Sequence, residues 1–322
     1  MKVFFDSVNF SATHTGPNCF AHRLAVGLSK KGHILADPSD YDVGLVFIEK
    51  SPLLNLNRPF VHRLDGIWFK PQDIETKNKA IKETFDLAAE VIFQSDFDRK
   101  MAEKWFGPKE RGTVIRNGIE LTEADVSPDV EALKKKYSKI FVCSSNWHPS
   151  KRLKKNVELY LHLKKSMTES CCLIVLGSNP DYVLAGKDIF YTNASIPHEM
   201  CLQFYSVADW MIHLAWADHA PNVVVEALSQ GCPVICSETG GTKELVGENG
   251  LVLKEDYDYA FEAFDYDDPP SVDVHQVQSL PSIQVDRSTV DISRVVDEYE
   301  KVLAKAAGSR AVPSLPPRGS DT

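Results

Sequence analysis

The chain has 322 residues, 43% hydrophobic and 25% charged, a composition typical of soluble globular proteins and a length sufficient for two domains. Its net charge is −9, and residues 250–322 hold 14 acidic but only 7 basic side chains, which argues against a general nucleic-acid-binding protein. No apolar stretch approaches the roughly 18 residues of a membrane span, and the first residues predict a strand instead of a signal peptide, so we expect a cytoplasmic protein.

The first part of the chain alternates predicted strands with predicted helices. An apolar strand, "KVFFD", is followed by the turn-rich "SATHTGPN" and by a helix in "CFAHRLAVGLSKKGH" that ends at Gly32. Further strands are predicted in "VGLVFI", "FVHRLDG", "EVIFQS" and "GTVIRNGIE", with helices over residues 76–89 and 96–105. This alternation predicts a parallel, doubly wound sheet.

A second alternation follows the connection "LTEADVSPDVEALKKKYS", which predicts a short helix. Strands are predicted in "KIFVCSS", "CCLIVLGS", "DIFYTN", "WMIHLAW" and "PVICSE", with helices over residues 152–165, 199–208 and 222–230. The predicted fold is therefore α/β, with two Rossmann-like domains that face each other across a cleft. In such sheets ligands bind beyond the carboxyl ends of the strands.

The predicted domain boundaries follow from this pattern. The first Rossmann-like domain covers residues 1–125 and the second covers residues 126–285. An amphipathic closing helix is expected over residues 286–306. Residues 307–322 are rich in Gly, Pro and Ser and are expected to be disordered.

The seven cysteines are an odd number, and the sequence has no C-x-x-C pair and no His cluster at zinc spacing. Most of them stand in apolar runs, so buried, reduced thiols are favoured over a redox or metal role. The seven are Cys19, Cys143, Cys171, Cys172, Cys201, Cys232 and Cys236.

The segment "ADHAPNVVVEALSQGCPVICSETGG", residues 217–241, carries three consecutive valines that favour a strand. Pro221 suits the first position of a helix, N1, and Gly231 suits its end. The predicted strands on either side can pair in parallel only through a crossover, for which a helix is the usual solution. We therefore predict a helix, since burial against the sheet can offset the low helix propensity of valine.

The start of this helix has the properties of an anion site. The N–H groups of Asn222, Val223 and Val224 would lack intrahelical partners and could bind a phosphate. Glu226, on the same face, could accept hydrogen bonds from the hydroxyls of a neighbouring ribose, and Asp218 could lie on the far side of the phosphate. Alternatively, both are ordinary acids near a helix start, where they complement the helix dipole.

The stretch "DHAPNVVVEALSQGCPVICSETGGTKELV" closely resembles the donor-site signature of GT-B-fold, retaining glycosyltransferases of the glycosyltransferase group 1 family. That signature has an acid, seven residues, a Glu, then "A-x-x-x-G-x-P-V-I" and a Gly-Gly turn. The resemblance implies that Glu226 binds the ribose of a nucleotide sugar and that Asp218 lies near the transferred sugar. Asp218 stands where the family usually has Glu, so its reach is shorter.

Two further segments extend the resemblance. "IRNGIE" is similar to the family's "x-P-N-G-V-D" segment between domains, with Arg116 in place of proline. "SSNWHPSKRL" is similar to the loop that carries a basic pair onto the diphosphate. Lys151 matches its lysine, which would stabilise the charge of the leaving group. The preceding arginine is absent, and Arg152 either replaces it or is a helix-surface residue.

Several glycines also match the family's pattern. Gly177, Gly240 and Gly241 resemble glycines that let the chain approach the donor. Gly16 occupies part of the family's N-terminal Gly-rich loop, and Pro17 replaces the second glycine. Pro221, Asn222 and Val223 complete the donor-binding residues that the resemblance implies.

The strand "FVHRLDG" places Asp65 near the position at which the family often has a His close to the transferred sugar. His62 and Arg63 lie beside it in sequence. Asp65 faces the cleft if the strand ends at Leu64. A turn-forming Asp before Gly66 is an equal alternative.

The resemblance implies a metal-independent retaining glycosyltransferase with no cofactor other than its donor substrate. A nucleotide diphosphate sugar would bind the C-terminal domain, and a glycan, lipid-linked or small-molecule acceptor would bind the N-terminal, acceptor-side domain. The expected catalytic residues are Asp218, Lys151 and Asp65, in polysaccharide or glycoconjugate biosynthesis. The family's usual account has the leaving phosphate take the acceptor's proton on the same face of the sugar.

Two other classes of function remain open. One is a sugar-nucleotide epimerase, and the other is a non-catalytic nucleotide-sugar-binding or assembly subunit. Peripheral membrane contact, common in the family, is also left open. An NAD-dependent dehydrogenase is disfavoured because no G-x-G-x-x-G follows the first strand.

Overall fold

The computed structural model describes residues 1–11, 16–192 and 194–309. Residues 12–15 of the turn-rich segment, and residues 310–322 of the predicted disordered tail, lie outside the described residues.

The first domain contains a parallel sheet of six strands in the order β2-β1-β3-β4-β5-β6. Its two central strands are buried at every residue, as expected where helices cover both sides of a parallel sheet, and all of these residues are apolar or glycine except His62 and Arg63. The strands are β1 (Lys2–Asp6), β2 (Ile34–Leu35), β3 (Val43–Phe47), β4 (Phe60–Leu64), β5 (Glu90–Phe93) and β6 (Gly112–Val114).

Three helices connect these strands: α1 (Gly16–Lys30), α2 (Ile74–Leu87) and α3 (Asp96–Phe106). Helix α1 buries Phe20, Leu24 and Leu28, the stripe that its spacing predicted. Helix α3 begins where Ser95 accepts a hydrogen bond from the N–H of Asp98, a standard N-cap. These contacts fix the helices against the sheet of the first domain.

The second domain repeats the plan with strand order β12-β11-β10-β7-β8-β9, also parallel. Its strands are β7 (Lys139–Ser144), β8 (Cys171–Leu176), β9 (Ile189–Tyr191), β10 (Trp210–His213), β11 (Val234–Ser237) and β12 (Gly250–Leu253). Its helices are α4 (Pro128–Lys136), α5 (Leu153–Ser166), α6 (His198–Val207), α7 (Asn222–Ser229) and α8 (Thr242–Val246). The valine run thus lies in helix α7, and β12 and α8 are elements that sequence patterning missed.

The closing helix, α9 (Ile292–Gly308), returns to the first domain and packs against α1, β3 and β4. It begins later than the predicted residue 286, because residues 287–290 form a short 3-10 turn and Asp291 caps the helix by accepting from the N–H of Ser293. It also includes Ala307 and Gly308, which we had assigned to the tail.

Five of the seven cysteines are buried thiols: Cys143, Cys171, Cys172, Cys232 and Cys236. Cys19 and Cys201 are half-buried. Across the described ranges, no helix combines the length and the apolar character that crossing a membrane requires.

His62 makes the stability of the first domain depend on pH. It is fully buried on β4, where its Nε2 donates to the Ile48 carbonyl at 2.8 Å, and burial lowers its pKa to about 4. An unfolded chain has a His pKa of about 6.5, so it binds the proton more tightly and acid favours unfolding between these values.

We therefore expect the wild-type free energy of unfolding to fall by about 1 kcal/mol more than that of His62→Gln between pH 7.5 and pH 5.5. Glutamine keeps a donor for the Ile48 carbonyl but does not titrate. Urea unfolding at the two pH values measures this difference. Identical pH dependence in the two proteins would contradict a neutral, buried His62.

Candidate active site

A cleft of about 1260 Å³ lies between the two domains. Its floor is formed where strands β7, β8 and β10 end, at Ser144, Leu176 and His213. Helix α1 contributes the facing wall from the first domain, through Gly16 and Arg23. The cleft is therefore at the carboxyl ends of the strands, where ligands bind in α/β sheets.

The N-terminus of α7 opens into this cleft. Pro221 is the N-cap and not the first helical residue, one position away from our prediction. The N–H of Val224 donates to the Pro221 carbonyl at 3.1 Å, so Val224 does not offer a free donor. Among the described residues, the N–H groups of Asn222 and Val223 have no hydrogen-bond acceptor. Two free amides, and not the predicted three, remain for an anion.

Lys151 and Asp218 form an ion pair at one side of this helix start. The Nε2 atom of His213 lies 3.7 Å from the same carboxylate, and burial lowers the pKa of His213. Burial alone would raise the pKa of Asp218, but the Lys151 ammonium and the His213 ring outweigh it and hold that pKa well below its usual range. Asp218 is therefore a carboxylate at every physiological pH.

Glu226 lies one turn further along α7, and its side chain is only 11% exposed. It is thus not an exposed helix glutamate. Its Oε1 accepts a hydrogen bond of 3.2 Å from Arg23 Nη2 and lies 3.1 Å from His198 Nε2. Arg23 belongs to the first domain, so this carboxylate is contacted from both walls of the cleft.

The structure brings most of the predicted site residues together. Eight of them line the cleft: Gly16, Lys151, Gly177, Asp218, Pro221, Asn222, Val223 and Glu226. Gly177 fits closely, because its φ is +111° and an added Cβ would collide with the Ser145 carbonyl oxygen. Four others, Asp65, Arg152, Gly240 and Gly241, are not among the residues that line the cleft.

Arg152 does not accompany Lys151 into the cleft. Its backbone is left-handed (φ 51°), and its guanidinium, 2% exposed, pairs with the buried Glu255 at 2.8 Å. Glu255 in turn accepts from the N–H of Thr239 at 2.7 Å. Arg152 is thus not a surface residue, and its guanidinium is not directed into the cleft. Through its ion pair with Glu255, it holds the loop after β11 in place.

The Asp65 side chain likewise contacts other residues of the first domain and not the cleft. Strand β4 ends at Leu64, as expected, but the Asp65 carboxylate pairs with the guanidinium of Arg63 and accepts from Gln94 Nε2 at 3.2 Å. Arg63 is 1% exposed, so its charge needs a buried counter-ion. This requirement explains why the Asp65 carboxylate is held by Arg63 and is not among the groups that line the cleft.

Arg63 also supports the start of α7. Its Nη2 donates to Asn117 Oδ1 at 2.9 Å, and Asn117 Nδ2 donates to Asn222 Oδ1 at 3.1 Å. Its Nε donates to the hydroxyl of Tyr299 on α9 at 3.1 Å. A continuous, largely buried network therefore connects the closing helix, the first domain and the N-terminal end of α7.

Gly240 and Gly241 do not line the cleft but contact the backbone of Asp218. They run beside the loop that carries Asp218, and the N–H of Gly241 donates to the Asp218 carbonyl at 2.7 Å. A Cβ on Gly241 would collide with the carbonyl oxygen of His219, which is backbone and cannot rotate away. These glycines allow two backbones to pack closely and so fix the position of Asp218.

Gly241→Ala should therefore destabilise the protein by about 1–3 kcal/mol, the usual range for overpacking, and displace Asp218. Chemical unfolding measures the first effect. Gly186→Ala is the matched control, because its Cβ would meet only ordinary contacts beyond 3.5 Å. Equal stability of the two variants would mean that the loop at His219 moves aside to admit the new methyl group, which would contradict the close packing described here.

Comparison with known proteins finds relatives in sequence over the second domain. Residues 128–263 match the family model of glycosyl transferases group 1. A stretch of 89 residues is 25% identical to the putative teichuronic acid biosynthesis glycosyltransferase TuaC of Bacillus subtilis (strain 168). That stretch spans 28% of this chain and only 23% of the relative.

Solved structures are similar over nearly the whole chain. Sucrose-phosphate synthase from Thermosynechococcus elongatus is 15% identical with a TM-score of 0.60, covering 95% of this chain and 94% of its own. Anabaena Alr3699/HepE, solved in complex with UDP-glucose, is 15% identical with a TM-score of 0.58. The match covers 97% of this chain and 93% of the Anabaena chain. At these identities the likeness establishes the fold.

The chain thus has the two-domain GT-B architecture, and the predicted fold of two Rossmann-like domains across a cleft is confirmed. The resemblance to glycosyl transferases group 1 noted in the sequence agrees with the match of residues 128–263 to that family model.

Proposed function

We propose that this protein is a retaining glycosyltransferase that moves a sugar from a nucleotide diphosphate sugar to a hydroxyl group of an acceptor. One observation carries the proposal. Asn222 and Val223, whose backbone amides have no acceptor among the described residues, line the interdomain cleft together with Lys151 and Glu226. This arrangement offers donors for a diphosphate and an acceptor for ribose hydroxyls within one helical turn.

In the proposed reaction the bond from the sugar's anomeric carbon to the diphosphate oxygen breaks, and the electron pair stays on the diphosphate. The acceptor oxygen bonds to the same carbon on the same face. Its proton passes to the leaving phosphate oxygen, so the step needs no protein nucleophile. The α7 amides and Lys151 stabilise the charge that develops on the leaving group.

Asp218 has a positioning role in this scheme. Its carboxylate is bound to Lys151 and faces His213, so it holds the ammonium at the cleft floor before a donor arrives. Holding the cation in advance lowers the reorganisation needed during the reaction. Asp218 can additionally accept a hydrogen bond from a hydroxyl of the transferred sugar, which agrees with its place near that sugar in the family resemblance.

We further propose that the charge of the leaving group is handled by protein cations and amides without a metal ion or a cofactor. Activity that is unchanged by a chelator would support this part, and activity restored only by a divalent cation would contradict it. The acceptor, a glycan, lipid-linked or small molecule, and the cytoplasmic location stay predictions.

The test is a transfer and donor-hydrolysis assay with a panel of nucleotide sugars that begins with UDP-glucose, the ligand of one similar structure. The configuration of the released or transferred sugar is followed by NMR. We expect cleavage of at least one donor with retention at the anomeric carbon. An inverted product would contradict the retaining mechanism, an isomerised donor would indicate an epimerase, and tight binding without cleavage would indicate a non-catalytic subunit.

A further inference from the structure

The cleft has few permanent positive charges for a ligand as anionic as a diphosphate. Among the described residues that line it, only Lys151 and Arg23 carry such a charge. Lys151 is already paired with Asp218, and the neighbouring cleft residues Ser145 and Asn146 are uncharged. The remaining cation, Arg23, comes from helix α1 of the first domain.

Arg23 is held in the cleft by Glu226. Their side chains are 16% and 11% exposed, and Nη2 of Arg23 is also 3.2 Å from His198 Nε2. The other terminal nitrogen, Nη1, is buried and has no hydrogen-bond acceptor among the described residues. A guanidinium presents its donors as a fork, so Arg23 can keep Glu226 on one nitrogen while the other takes a new acceptor.

The position of Arg23 is close to the free amides of α7. Helical side chains lean towards the helix N-terminus, so the Glu226 carboxylate, and the Arg23 guanidinium bound to it, lie over the turn that begins at Asn222. The starts of α1 and α7 are also in contact, since Asn222 Nδ2 donates to the Gly16 carbonyl at 3.3 Å. A phosphate on the α7 amides would therefore be within reach of Arg23 Nη1.

We propose that Arg23 binds the diphosphate of the donor from the opposite domain and adds a second positive charge to that of Lys151. This inference rests on the proposed function and adds a residue to it. The Arg23–Glu226 ion pair then binds the donor as a whole: the carboxylate accepts hydrogen bonds from the ribose, and the guanidinium donates to a phosphate. Binding of the donor to the second domain thereby engages the first domain as well.

The test compares a nucleoside diphosphate, UDP first, with its phosphate-free nucleoside. Calorimetry gives the Kd of the diphosphate, and competition against it gives that of the nucleoside. For Arg23→Gln we expect the diphosphate Kd to rise about tenfold or more, the effect of one charge-assisted contact. The nucleoside Kd should stay the same or fall, because Glu226 is freed. Arg23→Lys should recover part of the diphosphate affinity, and Lys30→Gln, on the same helix, should match the wild type.

Equal weakening of both ligands by Arg23→Gln would overturn the inference and leave Arg23 only a support for Glu226. Tighter binding of both ligands to Arg23→Gln would also overturn the inference, because Arg23 would then only compete with the ribose for the Glu226 carboxylate. If no nucleoside diphosphate binds the folded wild-type chain, the proposed function itself fails and this inference with it. The outcomes therefore separate the two proposals.

Discussion

Replacing Lys151 with alanine should lower kcat for glycosyl transfer by about 100- to 1000-fold, the effect typical of removing one preorganised donor at a developing negative charge. Lys151 is the cation that the second domain contributes to the cleft. Its contact strengthens as charge moves onto the leaving diphosphate, so kcat should fall more than donor affinity.

Removal of Lys151 also leaves Asp218 buried without its cation, and the pKa of that carboxyl should rise. Urea unfolding of the variant shows whether the protein stays folded while activity is lost. Lys154→Ala is the matched control, because Lys154 is an exposed lysine on α5, only three residues further along the chain. Activity within about threefold of the wild type in both variants would remove Lys151 from the proposed site.

Replacing Glu226 with glutamine should raise the Kd of a nucleoside diphosphate by about 10- to 100-fold, because a hydrogen bond to a charged group contributes about 1.5–3 kcal/mol. The glutamine keeps the shape of the side chain but offers one acceptor oxygen without charge. Since the carboxylate is assigned to the ribose, the phosphate-free nucleoside should lose affinity by the same factor.

Calorimetric titration of the variant with both ligands measures these effects. Glu131→Gln, an exposed acid on α4 of the same domain, is the control and should bind as the wild type does. A variant that lost affinity only for the diphosphate would contradict the assignment of Glu226 to the ribose.

Sequence patterning predicted the parts of this molecule that local rules determine. The helix over the valine run followed from the two parallel strands that flank it, since their connection has to cross the sheet. Glu226 and Asn222 lie on one face because their separation is fixed by helix geometry. The cleft at the strand ends followed from the fold class.

Contacts between distant segments could not be predicted in this way. Lys151 and Arg152 are neighbours of the same charge, and only the left-handed backbone at Arg152 sends its side chain to Glu255. Asp65 was misassigned because its partner, Arg63, is a buried cation whose need for a carboxylate depends on packing.

Arg23 and His213 were missed for related reasons. The spacing of α1 predicted its buried stripe, but Arg23 stands beside that stripe and meets Glu226 only when both domains are assembled. His213 carried a weaker signal, as the one polar residue within the apolar run "WMIHLAW"; only the structure shows that β10 ends at it, where a side chain faces the ligand edge of the sheet.

The most direct test of the central claim is a crystal structure of the protein with a bound nucleoside diphosphate. A thermal-shift panel selects the ligand, since a ligand of the native state raises its apparent stability. We expect a phosphate within hydrogen-bond distance of the amides of Asn222 and Val223 and of Lys151, with the ribose hydroxyls on Glu226. A nucleotide bound outside the interdomain cleft, or inside it with its phosphates away from α7, would contradict the account.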